Sequence, residues 1–576
     1  MDTHEDRTTT ALSSPLALAC GQVLPNRVMK AALSEGLGTM AHGPDDRLGR
    51  LYSQWGAGGY GLVLTGNVMV DRLHIGEPGN VVIEDDRDLD ALTAWAAASR
   101  NGASHGGGSP IWMQLNHPGR QANPIATRAV PIAPSAIALD IPGLPAPRAM
   151  TEHEIFGIVG RFATAATVAE TAGFDGVQIH GAHGYLVSQF LSPAANKRED
   201  RWGGNLDGRM RFVLEVVRAI RGAVSPGFAV GIKLNSADFQ KGGFSEEDSA
   251  LVVEQLANEH IDLIEISGGS YESPAMMGRS SNVSESTAKR EAYFLDYARE
   301  VRRAAGTVPL AVTGGFRTRS AMTLALSSGD CDVIGIGRPA TVMPAAGHAL
   351  VRDNLDRLDS PTISLGLPNV KMLKASKMLK ALDGALDLQW HTDQLHLIGT
   401  GGEPDPARPV WRTAVTTLQR NGVDAFRSRR GGTSPDPALR KFRRERMVGR
   451  YMANPLMRGL TAAGVHVSLM TDIETTGRKS GLTRRVPVSA KFDDAGAWII
   501  SQHGTRSGWG ANITDDPRVC LRVGNRWRTG KAEFVPADDV AARARSFANS
   551  PLLGRIVGAG FAALATTPIS VRVTFD

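Results

Sequence analysis

His180-Gly-Ala-His183-Gly-Tyr185-Leu-Val-Ser-Gln-Phe-Leu-Ser-Pro-Ala-Ala-Asn-Lys-Arg-Glu-Asp-Arg-Trp202-Gly-Gly204 follows directly on the apolar run Gly176-Val-Gln-Ile179. A short continuous apolar run that breaks into a Gly-rich polar turn reads as a parallel strand, buried on both faces, delivering functional groups at its end. Seven further runs read the same way: Val28–Ala32, Gly61–Thr65, Ile111–Leu115, Ala229–Leu234, Leu263–Ser267, Pro309–Thr313 and Val333–Gly337. Between them, Glu154–Thr171 and Arg209–Ala223 carry apolar residues at helical spacing. Eight βα units predict an α/β fold, a (β/α)8 TIM barrel. A doubly wound sheet is the alternative, although eight units exceed its usual count.

The 576 residues suit two or three domains, and 42% hydrophobic with 21% charged residues is ordinary globular composition. Three widely spaced cysteines exclude a disulfide scaffold, a four-cysteine zinc site and a cysteine-ligated iron–sulfur cluster. The N-terminal MDTHEDRTTT is polar rather than signal-like, and no apolar run reaches transmembrane length, so a cytoplasmic protein is expected. Residues 401–576 hold 28 Lys and Arg against 15 Asp and Glu, a net +13, whereas residues 1–400 hold 36 against 43, a net −7. That asymmetry predicts a boundary near 400 and an anionic partner for the second part: a phosphorylated coenzyme, a membrane surface or nucleic acid.

Barrel active sites lie where strands end. The candidates there are Ala32 and Ser34 in AALSEG, Gln114 in QLNHPGR, the HGAHGY cluster and Lys233. Gly314-Gly315 and Gly337-Arg338, after the seventh and eighth strands, fit the phosphate site usual for this fold. Gly335-Ile-Gly337-Arg-Pro-Ala340 imitates a dinucleotide fingerprint, but Pro339 falls inside the turn and no ribose-binding acid follows at the right spacing. His180 and His183 with Tyr185 read as a substrate-binding cluster. A satisfied core pair or two metal ligands are the competing readings, and with no third ligand evident no metal site is expected.

PNRVMKAALSEG, QLNHPGR, HGAHGYLVSQFLSPAANKREDRWGG and the TGGF…GIGRP pair together resemble the Old Yellow Enzyme family of FMN-dependent NAD(P)H:flavin oxidoreductases, from about Asn26 to His396. The resemblance implies an ene-reductase acting on α,β-unsaturated carbonyls or similar small electrophiles. It implies that Ala32, Ser34 and Asn67 lie along the flavin, that Gln114 binds its pyrimidine edge, and that Lys233 sits near N1 and O2. Gly314, Gly315, Gly337 and Arg338 would hold the phosphate. His180 and His183 would bind the substrate oxygen, and Tyr185 would deliver a proton. Ser34 stands where many members carry Thr or Cys, and Lys233 where several carry Arg. The iron–sulfur and Rossmann modules of larger relatives are not expected here.

Beyond the barrel, residues 401–436 (GTGGEPDPARP through SRRGGTSPDP) have linker composition. The basic stretch ALRKFRRERMVGRYMANPLMRGLTAAG reads as a packing helix with a solvated basic face, with weak membrane-surface contact as the alternative. No nucleic-acid motif accompanies the charge. Strands are expected at Val465–Ile473, Arg485–Phe492, Ala497–Gln502, Val519–Val523, Trp527–Phe534 and Ser570–Phe575, with a helix at Ala537–Ala548. Residues 437–576 would thus form a small split β-barrel. Within it, TTGRKSG (Thr475–Gly481) is a basic turn suited to phosphate. TTGRKSG-x-x-R-x-x-P followed by SQHG…W-x-x-N resembles the deazaflavin-dependent nitroreductase and quinone reductase family. That implies coenzyme F-420, with Gly477, Arg478, Lys479, Ser480, Gly481 and Arg484 on its phosphate and tail. Ser501, Gly504, Trp509 and Asn512 would lie near the ring. Reduced coenzyme F-420 would then feed FMN in place of NAD(P)H. Independent domains, or a C-terminal barrel serving only a homo-oligomer, are the other arrangements.

Overall fold

Eight strands pair in parallel and close on themselves: Val28–Lys30 (β1), Leu62–Met69 (β2), Ile111–Asn116 (β3), Gly176–Gly181 (β4), Ala229–Asn235 (β5), Leu263–Ser267 (β6), Leu310–Thr313 (β7) and Val333–Ile336 (β8). β8 returns to β1 with Ile334 opposite Val28, so the sheet is a barrel and not a doubly wound layer. The strands are almost wholly buried, which is why they read as uninterrupted apolar runs. β2 runs four residues beyond its expected end, and an irregularity between Leu64 and Asn67 shifts its register on β3. The computed structural model describes residues 11–101, 109–123, 126–127, 129–139, 145–240, 242–268, 294–352, 355–364, 377–420, 470–478, 481–501, 504–524, 526–547 and 568–576.

A short antiparallel pair, Leu16–Ala17 with Val23–Leu24, brings Leu18 and Leu24 against Met29, Leu62, Trp112 and Leu263. This apolar plug fills the N-terminal end of the barrel and leaves chemistry to the other end. Helices Asp46–Gly56 (α1), Leu89–Asn101 (α2), Glu152–Thr171 (α3), Leu206–Ala223 (α4), Glu246–Ala257 (α5), Leu295–Val301 (α6), Arg319–Ser327 (α7) and Ala346–Val351 (α8) follow the strands in turn. Their starts are set by local chemistry. Thr151 and Glu154 form a reciprocal capping box on α3, Asn205 caps α4, and Ser245 caps α5.

The expected linker is partly a folded extension of the barrel. Helix Lys377–Gly399 (α9) packs against α1, and helix Val410–Leu418 (α10) packs against α9. Trp390 Nε1 donates to Arg408 O at 3.0 Å, and Asp393 accepts from Thr413 Oγ1 at 2.8 Å. Composition misled because Gly and Pro here shape the α9–α10 turn. The first compact unit is therefore residues 1–430 rather than 1–400, and the second is 431–576. Residues 421–436 of the expected linker and the basic stretch through 469 lie outside the described residues.

The second unit contains a closed antiparallel barrel of Met470–Thr476 (β9), Thr483–Asp493 (β10), Gly496–Ser501 (β11), Arg518–Val523 (β12), Arg526–Val535 (β13) and Ile569–Phe575 (β14), in the order β9-β10-β11-β14-β13-β12. Each expected strand appears within a few residues where described, residues 465–469 of the first lying outside the described residues, and the expected helix occupies Val540–Ser546. Helix Gly508–Asp515 (α11), capped by Ser507, was not anticipated, because its two glycines lower helix propensity. Ile473, Val488, Ile499, Trp509, Leu521 and Val571 fill the interior.

Candidate active site

At the end of β4 the chain turns through His183, which adopts the left-handed conformation (φ 60°) that costs a non-glycine residue about 1–2 kcal/mol. The turn is secured by Asn235 at the end of β5, whose Oδ1 accepts from His183 N at 3.1 Å. His180 Nδ1 accepts from Ala182 N at 3.3 Å, which leaves the ring proton on Nε2. His183 Nε2 lies 3.0 Å from Ser267 Oγ at the end of β6. The two imidazoles meet edge-on with centroids 5.0 Å apart, and Tyr185 sits edge-on to His180 at 4.8 Å. Burial above all holds both histidines well below their ordinary pKa, helped by His183 and Lys233 at His180 and by Lys233 at His183, so both are neutral near pH 7.

Below this cluster runs a polar ladder inside the barrel. Gln114 Nε2 donates to Gln178 Oε1 (2.7 Å), Gln178 Nε2 to Glu265 Oε2 (2.8 Å), and Lys233 Nζ to Glu265 Oε1 (2.9 Å). Strand register sets it: Gln114 faces Gln178 across β3 and β4, and Glu265 faces Lys233 across β6 and β5. All four are buried. Gln178 and Glu265 were missed by sequence reasoning, although a polar residue inside an otherwise apolar strand is itself a signal that demands a partner. Lys30 was missed for the same reason. Fully buried, it donates to Leu64 O at 2.8 Å and lies 3.8 Å over the Trp55 ring, and burial lowers its pKa to about 7.

Ala32 lies partly buried beside the interior plug. Ser34 Oγ donates to Asn67 Oδ1 at 3.0 Å and also contacts the Glu77 carboxyl. Burial, reinforced by Glu35, raises Glu77 to about 7. Glu35 in turn accepts from the Tyr52 hydroxyl and from Gly66 N, and a Cβ at Gly66 would run into its carboxylate. Gly314 and Gly315 after β7 have φ of 123° and 90°, a conformation reserved for glycine, and a Cβ at Gly314 would come within 3.3 Å of Phe294. Gly337 and Arg338 follow β8 beside them. Arg338 is not free: its Nη1 pairs with Asp387 of α9 at 2.7 Å. The pairing ties the Gly337-Arg338 turn to the C-terminal extension. A buried ammonium beside amide edges, with a glycine turn at the adjoining strand ends, fits a planar electron-accepting ring with an anionic tail.

Asp71, His74 and His117 bring three potential metal-ligand atoms within 4.8 Å, an arrangement not expected from the sequence. Their atoms are largely engaged with the protein. His74 Nδ1 meets Asp71 at 2.7 Å and its Nε2 meets Val130 O at 3.2 Å, His117 Nδ1 accepts from Gly119 N, and Arg161 lies 3.3 Å from Asp71.

In the second unit, Gly477 N donates to Leu482 O (2.9 Å) and Gly481 N to Gly477 O (2.7 Å), which closes a basic turn with Gly481 at φ 64°. Arg478 and Arg484 are exposed, and Lys479 and Ser480 lie outside the described residues. Asn512 of α11 ties this turn to the barrel: its Oδ1 accepts from Arg478 N at 3.3 Å and its Nδ2 donates to Thr475 Oγ1 at 3.0 Å. Ser501 bonds Gly504 O (2.9 Å) and Ser507 Oγ (3.0 Å). Trp509, expected beside a ring, packs in the barrel core.

Residues 12–347 match the model of the NADH:flavin oxidoreductase / NADH oxidase family, and residues 443–574 match that of F-420H(2)-dependent quinone reductase. The NADH-dependent flavin oxidoreductase iccE of Talaromyces variabilis is 40% identical over 365 residues, 59% of this chain and 86% of the relative. The NADH-dependent flavin oxidoreductase iliE of Hypocrea jecorina is 36% identical over 61% of this chain and 92% of its own length. The fold matches an old yellow enzyme homologue from Zymomonas mobilis with a TM-score of 0.52 at 23% identity, over 60% of this chain and 94% of that one. Strand order, site and relatives converge: the chain belongs to the NADH:flavin oxidoreductase family, an FMN-type oxidoreductase barrel carrying an F-420-type reductase domain at its C-terminal side.

Proposed function

We propose that the barrel reduces activated C=C bonds of α,β-unsaturated carbonyls or similar small electrophiles, and that coenzyme F-420 bound by the second unit supplies the reducing equivalents. The observation that carries the first part is the cluster of His180, His183 and Tyr185, a buried and a half-buried imidazole, both neutral, with a phenol against the buried one. FMN held beside Gln114 and Lys233 would supply the hydride that the β-carbon takes up. The His180 Nε2–H, fixed by the Ala182 contact, donates to the substrate oxygen, and His183 provides the second contact to the same atom. As charge develops on that oxygen, two preorganised donors in a water-poor site stabilise it. Tyr185 then delivers its hydroxyl proton to the α-carbon. Lys233, steadied by Glu265, would offer positive charge to the ring, and the turns at Gly314-Gly315 and Gly337-Arg338 would hold its phosphate.

The second part rests on the Gly477–Leu482 turn with Arg478 and Arg484, whose cations suit an extended polyanionic tail. Ser501, Gly504 and Asn512 frame the ring side of that site. The names of the relatives favour a second reading in which NADH reduces the barrel directly. Steady-state reduction of 2-cyclohexen-1-one by the FMN-loaded protein tests the chemistry. The saturated ketone is the expected product. Oxidation of the donor with the enone left intact would remove this reading.

A further inference from the structure

A cleft of about 400 Å³ opens between the loops after β1 and β2, at Gly36 and Pro78, and the α9–α10 extension, at His396 and Arg420. Nothing described so far uses it. Arg420 follows α10, and one edge of its guanidinium pairs with Asp393. Its Nε and Nη1 are buried and have no hydrogen-bond partner among the described residues, which leaves three N–H donors unused.

The surrounding charge does not neutralise it. Asp393 is already saturated, because its carboxylate accepts from Arg408 Nε (2.8 Å), Thr413 Oγ1 (2.8 Å) and Thr416 Oγ1 (3.0 Å). Two guanidinium groups therefore share one carboxylate. Arg47, on the same cleft, is occupied by Asp45 and Leu37 O. Glu77, the other carboxyl that Arg420 senses, has its pKa raised to about 7 by burial, so near pH 7 it carries only part of a negative charge. His396 donates from Nε2 to Glu35 O at 2.9 Å and stays neutral. A half-buried cation lining a cleft, with planar donors that are shielded from water and unpaired among the described residues, recruits an oxyanion, for which guanidinium geometry is well matched.

We propose that this cleft is an oxyanion subsite in which Arg420 binds a carboxylate or phosphate group of a small molecule entering the barrel from the Ser34–Glu77 side. The link to catalysis rests on the ene-reductase reading, because Gly36 lies two residues past Ser34. The group would be either the carboxylate of an electrophilic substrate or the pyrophosphate of a pyridine dinucleotide. Arg420 is a binding and positioning residue, so its loss alters affinity and selectivity while leaving the proton-delivery machinery in place.

The test compares the full-length FMN-loaded protein with Arg420→Met and Arg420→Lys. Binding of fumarate, dimethyl fumarate and NADH is measured by calorimetry, alongside thermal melts. A charged hydrogen bond of ordinary strength predicts that Arg420→Met weakens fumarate about 10- to 100-fold, with dimethyl fumarate unchanged and partial rescue by Arg420→Lys. The same loss confined to NADH would assign the pyrophosphate instead. Equal affinities of wild type and Arg420→Met for all three, or equal losses for fumarate and its ester, would overturn the subsite. Turnover of dimethyl fumarate by the wild type reports separately on the ene-reductase reading, since the calorimetry needs no chemistry.

Discussion

The barrel centre and the basic turn of the second unit solve recognition in opposite ways. In the barrel, Gln114, Gln178, Glu265 and Lys233 are buried and bonded to one another, and strand register places every atom. In the turn at Gly477–Leu482, backbone bonds shape the loop while Arg478 and Arg484 stand exposed. A buried, interlocked set suits chemistry that depends on fractions of an ångström. Exposed cations suit a long flexible polyanion that needs capture more than alignment. The barrel site should therefore answer to substitution with large, salt-insensitive effects, and the turn with small, salt-sensitive ones.

The largest effect falls on Tyr185. Tyr185→Phe should lower kcat about 10²- to 10⁴-fold with flavin binding intact, the usual worth of a positioned general acid. An unchanged kcat in enone reduction would place the proton donor elsewhere. Next comes Glu265→Gln, which strands the buried Lys233 ammonium. Losing one member of a buried pair costs roughly 3–5 kcal/mol, so the barrel's thermal transition should drop by several degrees while that of the second unit stays. A drop shared by both units would show that the two cores do not melt independently.

Smaller changes belong to the turn. Arg478→Ala with Arg484→Ala should weaken reduced coenzyme F-420 by about 2- to 5-fold per residue at low salt, and by less at high salt, as exposed ion pairs do. A salt-independent loss would mean that these side chains bind as rigidly as the barrel ladder. The smallest effect is a pH dependence at Glu77. Its folded pKa of about 7 lies above the ordinary carboxyl value of 4.5, so its contribution is complete below pH 4.5 and is lost as pH rises through 7. The melting temperature of the wild type should fall between pH 5 and 8 relative to Glu77→Gln. Parallel pH profiles would show that Glu77 is ionised throughout.

The same contrast explains what the sequence disclosed. All eight barrel strands were legible because parallel strands covered on both faces are continuous apolar runs, and His180, His183 and Tyr185 stood out where such a run breaks. Gln178, Glu265 and Lys30 hid inside runs read only for their apolar neighbours. Arg420 hid in a Gly/Pro-rich stretch whose composition suggested a linker, although α10 and the Asp393 bonds fold it onto the barrel. Side-chain partnerships across 32 residues, as in Lys233–Glu265, or 64, as in Gln114–Gln178, arise from register and leave no local pattern. In the second unit the strands Val519–Val523 and Trp527–Phe534 were legible as β-rich runs, whereas the glycine-bearing helix α11 was not.

We propose that the second unit feeds the barrel. Anaerobic stopped-flow mixing of the FMN-loaded full chain with reduced coenzyme F-420, followed at the flavin absorbance, tests it directly, with NADH as the parallel donor. The expected result is fast bleaching by reduced coenzyme F-420 that slows in the Arg478→Ala, Arg484→Ala variant, while the NADH rate is the same in both proteins. Bleaching by NADH alone, or a coenzyme F-420 rate indifferent to the two arginines, would contradict it.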